Sequence, residues 1–273
     1  MTTMRAAAMI ISWMTILPLR VRGPVSRESA GRAISCLPAA GSVVGVFAAS
    51  LAFLLDLAGA TPLLSAALVV AGLAILTRGM HLDGLADTVD ALASYKPAAE
   101  ARQIMREGTV GPLGAGSLAL VSLVEVAAYA QLIEAGAFAA IAAVGIVSRC
   151  LPVFLCRRSI PAAEQGGFGP LVASTQGPAS MTAQALVTLA AAALAGVSIA
   201  SASGRSIFVE HGAPAVSLGI CMCAVICGVA WLFTKVLGRH AVRRLGGISG
   251  DILGTAIALG AAITASGFAI LAG

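Results

Sequence analysis

Charge is what this chain has least of. Only 11% of its 273 residues are Asp, Glu, Lys or Arg, against about 25% in an average soluble domain. Such a shortage excludes an ordinary water-facing surface. With 59% apolar residues and a mean hydropathy of +0.97, the chain reads as an integral membrane protein. Aromatics are scarce as well, at 4%. The apolar runs are filled instead by Ala and by many of the 31 Gly, small residues that let membrane helices approach closely. The six cysteines form no disulfide framework: Cys36, Cys150 and Cys156 lie in or near apolar segments, and Cys221, Cys223 and Cys227 fall inside one. Their Cys-x-Cys-x₃-Cys spacing has no His beside it, so they read as small packing residues rather than a soft metal site. A net charge of +5 is too small and too dispersed to argue for nucleic acid. A serine–histidine–acid set, a nucleotide P-loop and a CxxC pair are all missing.

What is present is a series of apolar runs, most of them about 20 residues long, enough to cross a bilayer core of roughly 30 Å. Seven spans are predicted, at about 34–56, 62–77, 113–133, 138–156, 182–200, 214–236 and 251–272. The expected fold is an all-α, polytopic membrane helix bundle, a single domain over 1–273. Residues 1–19 form a further apolar segment broken by Pro18. No small-residue cleavage site precedes Pro18 and Arg20, so it is expected to be retained and half-inserted. Alternating the spans sorts the loops into two sets. The loops at 18–33, 78–111, 157–181 and 237–250 hold nearly every Arg and Lys, including Arg20, Arg22, Arg27 and Arg32. Those at 57–61, 134–137 and 201–213 hold only Arg205. By the positive-inside rule the first set faces the cytoplasm.

The densest chemistry lies in the first set, in Thr77-Arg78-Gly79-Met80-His81-Leu82-Asp83-Gly84-Leu85-Ala86-Asp87-Thr88-Val89-Asp90. If this stretch is helical, Asp83, Asp87 and Asp90 stack on one face at i, i+4 and i+7. Carboxylates that close repel one another unless a cation sits among them or some are protonated. Mg²⁺, a hard ion that prefers oxygen ligands and keeps waters, suits them. The alternative is a solvated helix face beside a membrane, but the chain has only 12 acidic residues. Three of them within eight positions of an apolar region favour a metal site. Gly84, with no side chain, would let a ligand approach the backbone.

Other candidates are more ambiguous alone. Gly246-Gly247-Ile248-Ser249-Gly250-Asp251 is either a phosphate cradle opening a helix or a turn capped by Asp251. Arg78, Arg102 and Arg106 suit phosphate oxygens and also suit a role as positive-inside anchors. Arg149 and Glu125 stand inside apolar spans, where an ionisable group usually faces a functional cavity; Arg149 could instead snorkel to the interface.

Taken in order, the motifs resemble the cobalamin synthase family, also called adenosylcobinamide-GDP ribazoletransferase. The resemblance is carried by Ile16-Leu17-Pro18-Leu19, by Gly79 through Asp90, by Ile104-Met105-Arg106 before a glycine-rich run, by Val147-Ser148-Arg149, and by Gly246 through Gly254. In one place the chain departs: Glu107-Gly108-Thr109 stands where the family has an Asp-Ser-Arg-type sequence, so the acid has a counterpart and the arginine has none. The resemblance implies a late step of vitamin B12 assembly, in which α-ribazole or its 5′-phosphate is joined to adenosylcobinamide-GDP and GMP is released. It implies Mg²⁺ held by Asp83, Asp87 and Asp90 with Asp251 as a further ligand, and a diphosphate steadied by Arg78 or Arg106. His81 or one Asp would accept the ribazole hydroxyl proton, while Gly84, Gly246, Gly247, Gly250 and Arg149 would line the bound substrate. A bacterial inner membrane, with these loops in the cytoplasm, is the expected setting; whether the chain is a homo-oligomer is open. Two other classes are weighed against this: a CDP-alcohol phosphatidyltransferase, whose Asp-Gly-x-x-Ala-Arg signature is broken because Asp87 stands in place of the Arg, and a cation-coupled transporter, whose sites usually lie at the bilayer midplane.

Overall fold

The computed structural model describes residues 2–21, 23–202 and 213–273; Arg22, Arg205 and most of the expected 201–213 connection lie outside the described residues. Among those described, the regular elements are all helical: α1 (Thr3–Met14), α2 (Arg27–Ser35), α3 (Leu37–Leu57), α4 (Pro62–Leu76), α5 (Met80–Ala93), α6 (Ala98–Glu107), α7 (Pro112–Glu134), α8 (Phe138–Leu155), α9 (Gly169–Val172), α10 (Pro178–Ser201), α11 (Ala213–Leu245) and α12 (Gly250–Ala272). Six of them, α3, α7, α8, α10, α11 and α12, are long and apolar enough to cross a membrane, and α4 with α5 makes a seventh only as one bent pair. The chain is therefore multi-pass.

Helices α8 and α12 are mostly buried within the bundle, with α3, α7, α10 and α11 packed around them. The small residues explain how closely. A Cβ placed on Gly45 would lie 2.2 Å from the Ala142 carbonyl oxygen, and one on Gly145 would lie 2.5 Å from the Gly45 Cα. Backbone meets backbone along the α3–α8 seam, as small residues at membrane interfaces permit.

Two elements differ from the sequence expectation. The predicted span at 62–77 is the 15-residue α4, about 22 Å of helix at 1.5 Å per residue and too short to cross alone. It ends where Thr77 Oγ1 donates to the Leu73 carbonyl at 2.8 Å and where Arg78 and Gly79 both take left-handed backbone, φ 56° and 66°. Two such residues in succession cannot continue a right-handed helix, and the chain turns by 88° into α5. Helix α11 runs to Leu245, well past the predicted end at 236, so Arg239, His240, Arg243 and Arg244 lie on helix rather than in a loop. At the N-terminus, α1 has 12 residues, about 18 Å, which is shorter than a bilayer core.

The loops expected on the basic side do meet at one end of the bundle. Arg27 donates to the carbonyls of Pro170 and Ala173, and Gln176 Nε2 donates to the Gly31 carbonyl at 2.8 Å. Arg102 Nη1 reaches the Leu245 carbonyl at 2.8 Å. Ala163 and Ile248 are joined through backbone at 2.9 Å. Four segments far apart in sequence thus build one polar surface.

Candidate active site

Helix α5 brings Asp83 and Asp87 to this end, one turn apart. Asp83 is exposed and Asp87 nearly buried. Asp251, in the first turn of α12, lies against α5 because the missing side chain of Gly84 lets it: a Cβ there would stand 2.9 Å from both the Cα and the carbonyl oxygen of Asp251. Gly84 therefore admits α12, and not a ligand as its position in the motif suggested. Thr255 Oγ1 locks the crossing, 2.9 Å from the Gly84 carbonyl and 2.8 Å from Thr88 Oγ1. Asp83, Asp90 and Asp251 all lie within electrostatic range of Asp87, so one carboxylate set spans α5 and α12.

Asp90 is differently employed. Its two carboxylate oxygens accept from the backbone N–H groups of Gly111 at 2.7 Å and Gly114 at 2.8 Å. It caps α7, whose own first residues offer no side-chain acceptor. Nor does Asp251 cap α12: Ser249 does, accepting from the Ile252 N–H at 3.4 Å, and Ser249 Oγ also reaches Asp251 Oδ2 at 3.1 Å.

Beside Asp251 opens a cavity of about 870 Å³, walled by Arg102 and Arg106 of α6, Glu164 to Pro170, and Ile248 to Asp251. Arg106 Nη1 is 2.8 Å from both Glu164 oxygens, and Arg102 Nε is 3.2 Å from one of them. Two guanidiniums thus share one carboxylate at the cavity wall. Phe168 stands edge-on to Trp13 at 5.4 Å between ring centroids. Of the three glycines in the 246–251 corner only Gly250 lines this space. Gly247 is pressed against the 161–163 backbone, 2.4 Å from the Pro161 carbonyl for an added Cβ. The Ile248 N–H already donates to that carbonyl at 3.0 Å. Gly247 is a clasp to the neighbouring loop, and Gly246, with φ 84°, turns the chain out of α11; the two do not form an open cradle.

The remaining predicted residues are elsewhere. Arg78 Nη2 donates to the Trp13 carbonyl at 2.7 Å, and Ile16 N–H donates to the Leu76 carbonyl at 2.8 Å; together they tie the end of α1 and the residues just after it to the α4–α5 corner. His81, two positions before Asp83 and so pointing about 200° away around the helix, is buried in the bundle with Arg149, Glu125 and Tyr129. Glu107 accepts from Gln103 at 3.0 Å, and Gly108, with φ 64°, ends α6. Sequence reasoning missed Glu164 and Tyr129. Nothing local marks Glu164, whose partners are some 60 residues away. Tyr129 does stand one turn from Glu125 in an apolar span, a legible signal.

As a donor set for a divalent cation, Asp83, Asp87 and Asp251 are all hard oxygen ligands. Among the described residues, no three His, Cys, Asp or Glu side chains form a ready-made metal cage. Mg²⁺ rarely takes one: it is usually held by one or two carboxylates, its own waters and substrate phosphates. Asp83, Asp87 and Asp251, beside an arginine-walled cavity, can supply the carboxylates that this habit needs.

These features define a multi-pass membrane protein whose acidic and basic side chains converge on one cavity at one end of a helix bundle. The chain belongs to the family described as cobalamin-5-phosphate synthase, which it matches over residues 6–269. It is 35% identical to the adenosylcobinamide-GDP ribazoletransferase of Corynebacterium efficiens, over 93% of this chain and 87% of that one. Against the protein of that name from Frankia casuarinae it is 35% identical, over 92% and 89% of the two chains. The one from Pseudomonas syringae pv. syringae is 31% identical, over 91% and 92%. No solved structure matches the chain.

Proposed function

We propose that this chain is an adenosylcobinamide-GDP ribazoletransferase of cobalamin synthesis, working with Mg²⁺ at the cytoplasmic end of its bundle. The observation that carries the reading is that Asp251 lines one large cavity with Arg102 and Arg106 and lies within electrostatic range of Asp87 on α5, in a chain of this family. An oxygen of α-ribazole, or of its 5′-phosphate form, attacks the phosphorus on the cobinamide side of the diphosphate. The bond to the GMP oxygen breaks, and the ribazole hydroxyl gives up its proton. Asp83, Asp87 and Asp251 would hold the metal, which when bound neutralises charge on the phosphoryl oxygens. Arg102 and Arg106 steady the diphosphate by exchanging Glu164 for phosphate oxygens, since a guanidinium fork fits either. Asp83, exposed on α5, is better placed than buried His81 to take the proton. Asp90, which accepts from backbone N–H groups, and Arg78, which donates to a backbone carbonyl, hold the scaffold.

The deciding assay incubates the purified protein with adenosylcobinamide-GDP, α-ribazole and Mg²⁺ and follows nucleotide release. GMP formed only when both substrates are present is the expected result. No GMP, or CMP released instead from a CDP-lipid, would overturn the reading.

A further inference from the structure

Deep in the bundle, well-separated segments of the chain meet around a second and much smaller space. Thr77 and His81 approach it from the α4–α5 corner, Glu125 and Tyr129 from α7, and Arg149 from α8, with apolar residues of α4 and α12 closing it. Its volume is about 50 Å³, far too small for a nucleotide or a corrinoid. His81 and Arg149 are only 7% and 6% exposed. His81 Nε2 and Arg149 Nε are both fully buried and meet no protein partner. Arg149 Nη1 donates to Ser148 Oγ at 2.9 Å. Glu125 and Tyr129 are within electrostatic range of Arg149, yet no ion pair joins Glu125 to it among the described residues.

A charged pair at membrane depth, held apart across a gap lined by orphan polar atoms, is costly when dry. Water removes that cost. One buried water needs roughly 10–15 Å³ of such volume and two to four polar partners, so this space takes a few. The partners are complementary: Arg149 Nε donates, the Glu125 carboxylate accepts, and the Tyr129 hydroxyl and His81 Nε2 can adapt to either.

We infer that this chamber is a water-bridged clamp that joins Arg149 to Glu125, Tyr129 and His81. Through His81 it fixes the rotation of α5, which makes Glu125, Tyr129 and Arg149 positioning residues for Asp83 and Asp87. Thr255 and the Asp90 contacts hold the middle and end of α5, and the clamp holds its first turn. Helix α5 begins after two left-handed residues, with no side-chain hydrogen bond at its Gly79 cap, and it carries its acids on the face away from His81. The clamp itself stands on geometry alone; the positioning role rests on the proposed transferase reading.

The test compares Glu125→Gln, Arg149→Met, Arg149→Lys and the Glu125→Gln/Arg149→Met double variant. The first two should lose roughly 10- to 100-fold in kcat for GMP release, the range for groups that orient metal ligands, with KM for adenosylcobinamide-GDP within about twofold. Their Mg²⁺ requirement should rise, and Arg149→Lys should recover part of the rate. The double variant should melt and turn over no worse than the poorer single variant, because one network is lost once. A raised KM with kcat kept would overturn the inference in favour of direct substrate contact. Additive melting losses with kcat unchanged would reduce the residues to independent packing, and a dry chamber in an experimental structure would remove the bridge. Should the wild-type protein release no GMP, the transferase reading falls; the melting cycle and the chamber's hydration, which need no substrate, still decide the clamp.

Discussion

Asp87 and Asp90 are three residues apart on one helix, and their environments assign them different work. Asp87 faces Asp83 and Asp251, whereas both oxygens of Asp90 are taken by the start of α7. Asp83→Asn and Asp87→Asn should therefore each cost on the order of 100-fold or more in GMP release, the scale for removing one charge-stabilising group from a reacting centre, while the protein still inserts and purifies. Wild-type turnover in either variant would remove that residue from the site. Asp90→Asn should behave otherwise. An amide offers one acceptor oxygen where two N–H groups wait, so a loss of about 1 kcal/mol in stability is expected, read as a lower melting temperature with the Mg²⁺ requirement unchanged. Asp251→Asn keeps the α12 cap, which Ser249 provides, and removes one anionic oxygen ligand. Its activity should fall and be partly restored by raised Mg²⁺; an unchanged rate and Mg²⁺ requirement would make Asp251 structural. The i, i+4, i+7 spacing made the shared helical face legible in the sequence. It could not show that Asp90 has a partner 21 residues on, because tertiary capping leaves no local pattern.

Among the elements, the crossing of α5 over α12 positions the carboxylates, and it depends on Gly84 and Gly254 facing each other's helix. Gly84→Ala would push a methyl group to within 2.9 Å of the Asp251 backbone, where neither helix has a flexible end to yield. Overpacking of that kind costs typically 1–3 kcal/mol. A lower melting temperature together with a steep loss of activity is expected, whereas Ala at Gly116, which has nothing within 4 Å, should be silent in both. Equal behaviour of the two variants would show that the close approach is not needed. The spans themselves were largely readable, since a run of apolar residues reports its own burial in lipid. The corner at Arg78 and Gly79 was not. Hydropathy sees α4 and the first residues after it as one apolar approach, and only the backbone conformation reveals a turn of 88°. The basic residues at the end of α11 misled in the opposite direction, because charge ends a membrane span without ending a helix.

For the whole molecule, the sorting of loops by charge carries the largest structural claim made from sequence, that every loop with useful side chains lies on one side. Contacts among the 18–33, 157–181, 78–111 and 245–249 segments agree with a shared end. The side on which that end lies depends on parity. Between Lys96 and Gln165 the chain makes two spans, α7 and α8, and between Gln165 and Arg243 two more, α10 and α11. These three exposed positions must share a compartment whatever the bent pair does. Gly59, at the exposed turn between α3 and α4, lies opposite them only if α4 and α5 together complete a crossing. Single cysteines at 59, 96, 165 and 243, in a background freed of the six native ones, test this with a membrane-impermeant thiol reagent on sealed vesicles of known orientation. Labelling of 96, 165 and 243 from the cytoplasmic face and of 59 from the other is expected, from the excess of Arg and Lys on that end. Labelling of 59 on the same face as 96 would make the pair a re-entrant hairpin that dips into the bilayer and returns. That outcome would also place the 18–33 segment, at the other end of α3, across the membrane from the 157–181 loop it contacts, so it would overturn the shared end together with the crossing.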